Sequence, residues 1–499
     1  MSGFVLVALV FALFLPMPVQ AAPMGNLPPT VSAELMRGNI PADAVSVWVQ
    51  PVDADQPALA FNAERPMNPA SVMKLVTTFA ALEVLGPERT WMTRIAIAAS
   101  PRESGAPLGS FYLVGDGDPM LTYERLWRIL RRLRSMGYST IEGDIVLDHS
   151  ALVMPPHDPN AFDGKGLRPY NGSGDGLLIH FNTQQLALFP GRNERDPVRL
   201  VAEPPLWGVE IDNQLVTSTR SCEPWHRDLE AHFGKNGRLT LTGSLPAGCG
   251  PRMWANSPLD PSEYGVAMVR SLWWELGGTV RGRVRNGVVP AEAQVLIFDE
   301  SESLGVVVRT MNKWSSNVLA RQLLALVGRA SLEMGGGGFA PRSPAADMVS
   351  AGADAARRSL AAAGINVSGL VIENGSGLSR NERIRADSLG ALLIRAWQRP
   401  WMPDFVASLP VAGLDGTVRR RLKDSPVRGH AHLKTGTIND VKSIAGYVLD
   451  RNGRRHAVVM MINHPEAVGS QNAQDALIEW VWSGASSGAS KPASRRSGR

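Results

Sequence analysis

Residues 69–86 read PASVMKLVTTFAALEVLG, and the fold turns on them. Pro69 and Ser71 open the run and Gly86-Pro87 close it, the start and stop signals of a helix expected to reach about Leu85. Val72, Met73, Leu75, Val76, Phe79, Leu82 and Val84 fall on nearly every face, so the helix belongs in an interior. A lysine inside it is notable, because only eight of the chain's 51 basic residues are lysines. Ser71 and Lys74 are three positions apart and share a helix face, which sets the amine beside the hydroxyl. Serine alone is a poor nucleophile and needs a base within hydrogen-bond reach. Lysine serves once burial or a second cation lowers its pKa, whereas arginine does not deprotonate. The helix N-terminus adds backbone N–H groups for a developing oxyanion.

One Ser-x-x-Lys is weak evidence, since roughly 0.6 are expected by chance at this composition. The rarer Lys434-Thr435-Gly436 carries more weight, with a chance expectation on the order of 0.1. It precedes a hairpin, and so is expected to open a strand at a sheet edge. There Lys434 would bind a carboxylate and depress the pKa of Lys74, and Thr435 would hydrogen-bond a substrate. Gly436 leaves room for close backbone approach, and the N–H of Thr437 would join that of Ser71 as an oxyanion donor. Ser-x-Asn occurs at Ser315, Ser379 and Ser470. Ser315 and Asn317 are chosen because they lie between the other motifs at a helix start, where simple capping is the bland reading. Ser379 suits a loop after a glycine-rich stretch.

Working outward, residues 45–52 alternate as a strand and residues 59–61 form a second, after a Pro-rich lead-in at 23–41. From 91 to 296 short strands dominate, near 94–98, 110–114, 143–147, 185–189, 238–242 and 294–297. Helices at 123–136 and 263–276 interrupt them. This reads as a β-rich insertion, expected to form two lobes. Helical periodicity returns at 303–311, 316–327 and 347–363. Strands at 443–449 and 456–463 flank Asn452-Gly453, a strong hairpin signal, and a helix follows at 473–482. The four glycines from Gly335 lack a following Gly-Lys-Ser/Thr, so a phosphate loop is rejected. Residues 484–499, rich in Ser, Gly, Ala and Arg, are expected to be a disordered tail.

The chain's 499 residues, 44% hydrophobic and 19% charged, describe a globular protein. A net charge of +5 without a basic, aromatic-interleaved stripe gives no ground for nucleic-acid binding. Residues 4–15 are an unbroken apolar run, followed by Val19-Gln20-Ala21. That is the pattern of a secretory signal (1–21), although no Lys or Arg precedes it. The run is too short to span a membrane comfortably, and no stable span is expected after cleavage. In an exported chain, Cys222 and Cys249 are expected to close a disulfide, the alternative being two buried thiols. They cannot make a four-ligand zinc site unaided, and nearby His226 lacks metal-motif spacing, so no metal is expected.

In the order Ser-x-x-Lys, Ser-x-Asn, Lys-Thr-Gly, these motifs form the serine signature of penicillin-binding proteins and class A β-lactamases. About 240 residues separate Lys74 from Ser315. That gap makes the chain resemble the penicillin-binding protein 4 type D-alanyl-D-alanine carboxypeptidase/endopeptidase family (peptidase family S13), which carries a large insertion there. Leu113-Val114-Gly115-Asp116-Gly117-Asp118-Pro119, Gly143-Asp144-Ile145-Val146-Leu147-Asp148, Asn374-Gly375-Ser376-Gly377-Leu378-Ser379-Arg380 and Gly413-Leu414-Asp415-Gly416-Thr417 also look like that family. Ser316 departs from it mildly, where Asp is common.

The resemblance implies an α/β (α+β) transpeptidase/β-lactamase-like domain split over 22–90 and 297–483, with 91–296 as the insertion. It implies hydrolysis of D-Ala-D-Ala bonds or cross-links in peptidoglycan stem peptides through an acyl-enzyme on Ser71. β-Lactams would acylate the same serine, no cofactor is needed, and the compartment would be the periplasm. Asp163, in Phe162-Asp163-Gly164, and Arg380 look like the positions that recognise the stem peptide's diamino acid. Carboxypeptidase and endopeptidase action both fit the resemblance. The rival readings are a β-lactamase, a Ser/Lys esterase and a non-catalytic peptidoglycan- or penicillin-binding protein. No Glu-x-x-x-Asn segment in a suitable place supports the first.

Overall fold

The computed structural model describes residues 27–98, 109–334 and 347–484. The expected leader, the glycine run at 335–338 and the tail beyond 484 lie outside the described residues.

One antiparallel sheet joins the two ends of the chain. Its strands run in the order Ala431–Ile438, Val441–Leu449, Arg455–Asn463, Val45–Pro51 and Leu59–Phe61. The hairpin at Asn452-Gly453 pairs Leu449 with Arg455, and Gly453 supplies the positive φ (82°) of the turn. Successive residues of a strand point to opposite faces, and here both faces are covered. Val47, Val49, Ile444, Val448, Val458 and Met460 pack with Val31, Leu35, Leu477 and Ile478 of the helices Pro29–Arg37 and Gln471–Trp482. Trp48, Ala445, Tyr447, Val459 and Met461 face the opposite layer, built from Lys74–Leu85, Asn317–Met334, Met348–Ala362 and Ala386–Trp397. Burial on both sides leaves every residue of Val45–Pro51 buried, although Ser46 and Gln50 make the sequence alternate there.

Two differences from the sequence reading stand out. The Pro-rich lead-in contains the helix Pro29–Arg37, because Pro29 at its first turn loses no hydrogen bond there and Val31 and Leu35 share one buried face. Ser71 does not open an α-helix but lies in a 3-10 turn, Ala70–Met73, and the α-helix begins at Lys74.

The β-rich region has two cores of its own. The first sheet runs Val284–Asn286, Ile145–Asp148, Phe111–Val114, Met92–Ile97 and Gln294–Glu300. Helix Tyr123–Ser135 lays Leu126, Ile129, Leu130 and Leu133 on it, and Pro261–Glu275 lays Tyr264, Met268 and Leu272. Gln294–Glu300 pairs antiparallel with Met92–Ile97, so the last strand of this sheet lies beside the first. The second core gathers Leu186, Leu188, Leu239, Leu241 and Trp254. A disulfide between Cys222 and Cys249 closes its edge.

The region is tied to the helical layer at helix Asn317–Met334. Gln322 Oε1 accepts from the N–H of Asp175 and its Nε2 donates to the carbonyls of Asp175 and Gly117, each at 2.8 Å.

Candidate active site

The turn that carries Ser71 is clamped from several directions. The Asn68 N–H donates to Asn463 Oδ1 (2.8 Å), Asn463 Nδ2 donates back to the Asn68 carbonyl (3.0 Å), and Asn68 Oδ1 accepts from the N–H of Ala70 (2.8 Å). Ser443 Oγ donates to the Pro69 carbonyl. These bonds hold Ala70 at φ 45°, a left-handed conformation costly for a residue with a Cβ. Two glycines make room for the strained turn. A Cβ on Gly377 would come within 1.9 Å of the Ala70 carbonyl oxygen, and one on Gly436 within 2.5 Å of that of Pro69.

In a 3-10 turn, side chains at i and i+3 eclipse more closely than in an α-helix. Lys74 Nζ accordingly donates to Ser71 Oγ at 3.1 Å. The same amine donates to Asn317 Oδ1 at 2.6 Å and to the Ser376 carbonyl. Lys74 is wholly buried and all three acceptors are neutral. Burial, then the nearby charge of Lys434, hold its pKa well below the ordinary lysine range; Glu382 opposes the shift and Arg321 adds to it.

Lys434 is equally buried, on the outermost strand of the sheet. It sits mid-strand in Ala431–Ile438 rather than opening it, because the pairing with Val441–Leu449 extends back to Ala431. Its amine donates to Ser315 Oγ at 2.9 Å and to the Thr435 carbonyl at 2.7 Å. Burial pushes its pKa down to about 7. Ser315 ends helix Leu304–Trp314 in a left-handed conformation (φ 58°), and Asn317 begins the next helix. The three motifs therefore converge: the lysine of each outer motif reaches one residue of Ser315-Ser316-Asn317.

The remaining sequence candidates lie around this centre. Thr435 Oγ1 is 3.1 Å from Thr417 Oγ1, and Thr437 is exposed on the same strand. Arg380 donates to the Asn439 carbonyl (3.2 Å) and lies over the Phe162 ring at 4.9 Å. Phe162 and Leu378 pack with Ala70, Ile438 and Val441, which brings this part of the β-rich region to the rim. Burial opposes ionisation of Asp163. Hydrogen bonds from Tyr170 Oη (2.7 Å), Asn171 Nδ2 (2.8 Å) and the Lys165 N–H outweigh it and lower its pKa. Ser379, the rejected Ser-x-Asn, bonds Glu373 instead of either lysine.

Sequence reasoning missed four contributors. Tyr170 offers its carbonyl to Asn317 Nδ2 at 3.0 Å. Arg321 is buried and donates to the carbonyls of Tyr170 and Gly172. The Ser376 carbonyl holds Lys74, and Glu382 is fully buried behind it. Two of these act through backbone carbonyls, which leave no side-chain signature. Glu382 sits in the charged run Arg380-Asn381-Glu382-Arg383, which reads as a solvated turn.

A cavity of about 400 Å³ adjoins the centre, lined by Phe162, Arg321, Glu373, Leu378 and Arg380 among others. A larger one, about 800 Å³, lies in the β-rich region near His232 and Trp254 and contains none of the convergent set. Chemistry rather than volume picks the site. No group of three or more His, Cys, Asp or Glu among the described residues is placed to hold a metal ion. No helix among them is long and apolar enough to cross a membrane.

A half-buried Ser71 in a 3-10 turn, a buried Lys74 at the start of the helix that follows, and a second lysine on the edge strand of a five-stranded antiparallel sheet are the layout of the β-lactamase-like fold. The chain belongs to the D-Ala-D-Ala carboxypeptidase 3 (S13) family, whose model matches residues 28–483. It is 30% identical to the D-alanyl-D-alanine carboxypeptidase of an Actinomadura species, over 76% of this chain and 70% of that one. It is 24% identical to the D-alanyl-D-alanine carboxypeptidase DacB of Haemophilus influenzae, over 83% and 84%. The crystal structure of penicillin binding protein 4 (dacB) from Haemophilus influenzae superposes with a TM-score of 0.73 at 22% identity, covering 91% of this chain and 99% of that one.

Proposed function

We propose that this enzyme hydrolyses the bond after a D-alanine of peptidoglycan stem peptides through an acyl-enzyme on Ser71. Neutral Lys74 takes the Ser71 hydroxyl proton as Oγ attacks the D-alanyl carbonyl carbon. The N–H groups of Ser71 and Thr437 receive the oxyanion. The C–N bond then breaks, and the leaving amine takes the proton held by the Lys74 ammonium, relayed by Ser315 Oγ, which Lys434 orients. Neutral Lys74 then takes a proton from the water that attacks the ester carbonyl and returns it to Ser71 Oγ as the ester C–O bond breaks, which frees the acid and restores the serine. The leaving amine belongs to D-alanine in carboxypeptidase action and to the neighbouring stem in endopeptidase action. Lys434 and Thr435 would hold the carboxylate, and Asp163 and Arg380 the diamino acid side chain. Export to the periplasm fits the apolar run at 4–15.

The observation that carries this reading is the 3.1 Å Ser71–Lys74 bond inside a burial that holds the amine's proton affinity down. The Haemophilus protein has also been crystallised with a β-lactam. The test is incubation with a labelled penicillin, adduct mapping, and D-alanine release from a pentapeptide. The label is expected on Ser71 and is lost in Ser71→Ala. A label elsewhere, or one that survives that substitution, overturns the mechanism.

A further inference from the structure

We propose that the buried carboxylate of Glu382 is a positioning residue: it is the counter-charge of the Lys74, Lys434 and Arg321 cluster, holds the Ser376 carbonyl on Lys74, and sets the pH range in which Ser71 is acylated. The inference rests on the function proposed above and concerns how its base is tuned.

The geometry is that of an anion site turned inward. Glu382 Oε1 accepts three backbone N–H groups, from Glu373 (3.1 Å), Asn374 (3.0 Å) and Gly375 (3.0 Å). Its own N–H donates to Ser379 Oγ. These bonds fix residues 373–376, and the next carbonyl in the loop, that of Ser376, receives the Lys74 amine. Thr77 Oγ1 pins the same loop through the Gly375 carbonyl at 2.6 Å. Oε2 is buried and has no hydrogen-bond partner among the described residues.

A neutral amide oxygen would anchor the loop as well as a carboxylate does, so the loop alone does not call for a charge. The surroundings do. Lys74 from the helix Lys74–Leu85, Lys434 from the edge strand and Arg321 from the helix Asn317–Met334 bring three cationic groups to one water-poor space. Glu382 is the carboxylate that acts electrostatically on both Lys74 and Arg321. Burial is the largest influence and raises its proton affinity; the three N–H groups and Lys74 offset this only in part. Multiple N–H donors and a nearby cation favour the ionised form of a buried carboxylate, and the proposed role has Glu382 in that form. With Glu382 ionised, Lys74 keeps more affinity for its proton than Lys434 and Arg321 would otherwise allow.

The consequence has a sign. Only neutral Lys74 accepts the serine proton, so acylation falls as the pH drops through the coupled titration of the two lysines. Glu382→Gln preserves the shape and the Oε1 acceptor and removes only the charge. The acid limb should then move to lower pH by about one unit, with the plateau kept.

The experiment is the second-order acylation rate of the full-length protein by a fluorescent penicillin, measured against pH for wild type, Glu382→Gln, Glu382→Asp and Glu382→Ala. Glu382→Asp should keep the wild-type limb, and Glu382→Ala should lose rate at every pH as the loop slackens. A Glu382→Gln profile superimposed on wild type overturns the proposal and leaves only a loop-holding role. So does a Glu382→Asp limb displaced as far as that of Glu382→Gln. Infrared spectra of the ¹³C-glutamate-labelled wild-type protein give a measurement that needs no folded Gln variant. An ionised band lost in Glu382→Asp supports the proposal, and a protonated one at neutral pH overturns it. Failure of wild type to be labelled at Ser71 would instead sink the proposed function.

Discussion

Two regions of this molecule bury cations, and they do so in opposite ways. In the β-rich region, Arg125 reaches Asp118 at 2.6 Å and Asp299 at 2.7 Å, with both carboxylates almost wholly buried. Burial works against the guanidinium charge, but the two aspartates outweigh it and raise its pKa. In the candidate site, Lys74 and Lys434 are fully buried and, among the described residues, their hydrogen bonds go only to neutral oxygens. Both pKa values fall. Pairing yields a charge that stays fixed and holds strands together; withholding the pair yields an amine that gives up its proton.

The largest effect should come from breaking the second arrangement. Lys74→Arg keeps the positive charge but cannot deprotonate, and acylation of Ser71 by a labelled penicillin should fall by about 10²–10⁴-fold. Retained rate would remove Lys74 from the role of base.

Breaking the first arrangement should cost stability. Arg125→Ala strands buried Asp118 and leaves Asp299 with the exposed Arg128 alone, and denaturant titration should show a loss of about 3–5 kcal/mol. A loss well below that range would mean that the aspartates find other partners and the triad is not a structural clamp.

A third measurement reads the difference as pH dependence. Lys434 holds its proton only up to about pH 7 when folded, whereas in the unfolded chain it does so to about 10.4. Between these values the unfolded state binds more protons, so stability should rise with pH across that window. Lys434→Met should flatten the rise. A slope unchanged by that substitution would show that Lys434 titrates normally.

The smallest effect sharpens the contrast. Arg128 also reaches Asp299, at 2.8 Å, but its side chain is 57% exposed. Arg128→Ala should change stability by less than about 1 kcal/mol. A loss matching that of Arg125→Ala would show that proximity rather than burial gives the triad its worth.

Much of the architecture was legible because it is periodic. Strands 45–51, 441–449 and 455–463, the Asn452-Gly453 turn and the helices 304–314, 317–334, 348–362 and 471–482 follow from alternation, 3.6-residue spacing and turn chemistry, with displaced ends, whereas the helices 386–397 and 402–408 went unread. The helix Pro29–Arg37 escaped because it lies within the Pro-rich lead-in from Pro23 to Pro41, although proline at a first turn is compatible with a helix. The 3-10 turn at Ser71 escaped because Asn463 and Ser443, on distant strands, impose it through Asn68 and Pro69. Within the site, Ser71, Lys74, Ser315, Asn317 and Lys434 are side-chain chemistry and could be read. Tyr170 and Ser376 act through carbonyls that any residue possesses, and Glu382 hides in a charged run.

The sequence by itself determined the cast: a nucleophile, two scarce lysines, a Ser-x-Asn between them and a long β-rich interval that marks the family. Those are matters of residue type, order and spacing, which a linear chain states openly. Only the tertiary structure decided how the lysines behave. Their proton affinity depends on which charges and which water remain within a few ångströms once Lys74, Arg321, Glu382 and Lys434, far apart along the chain, are folded into one dry space.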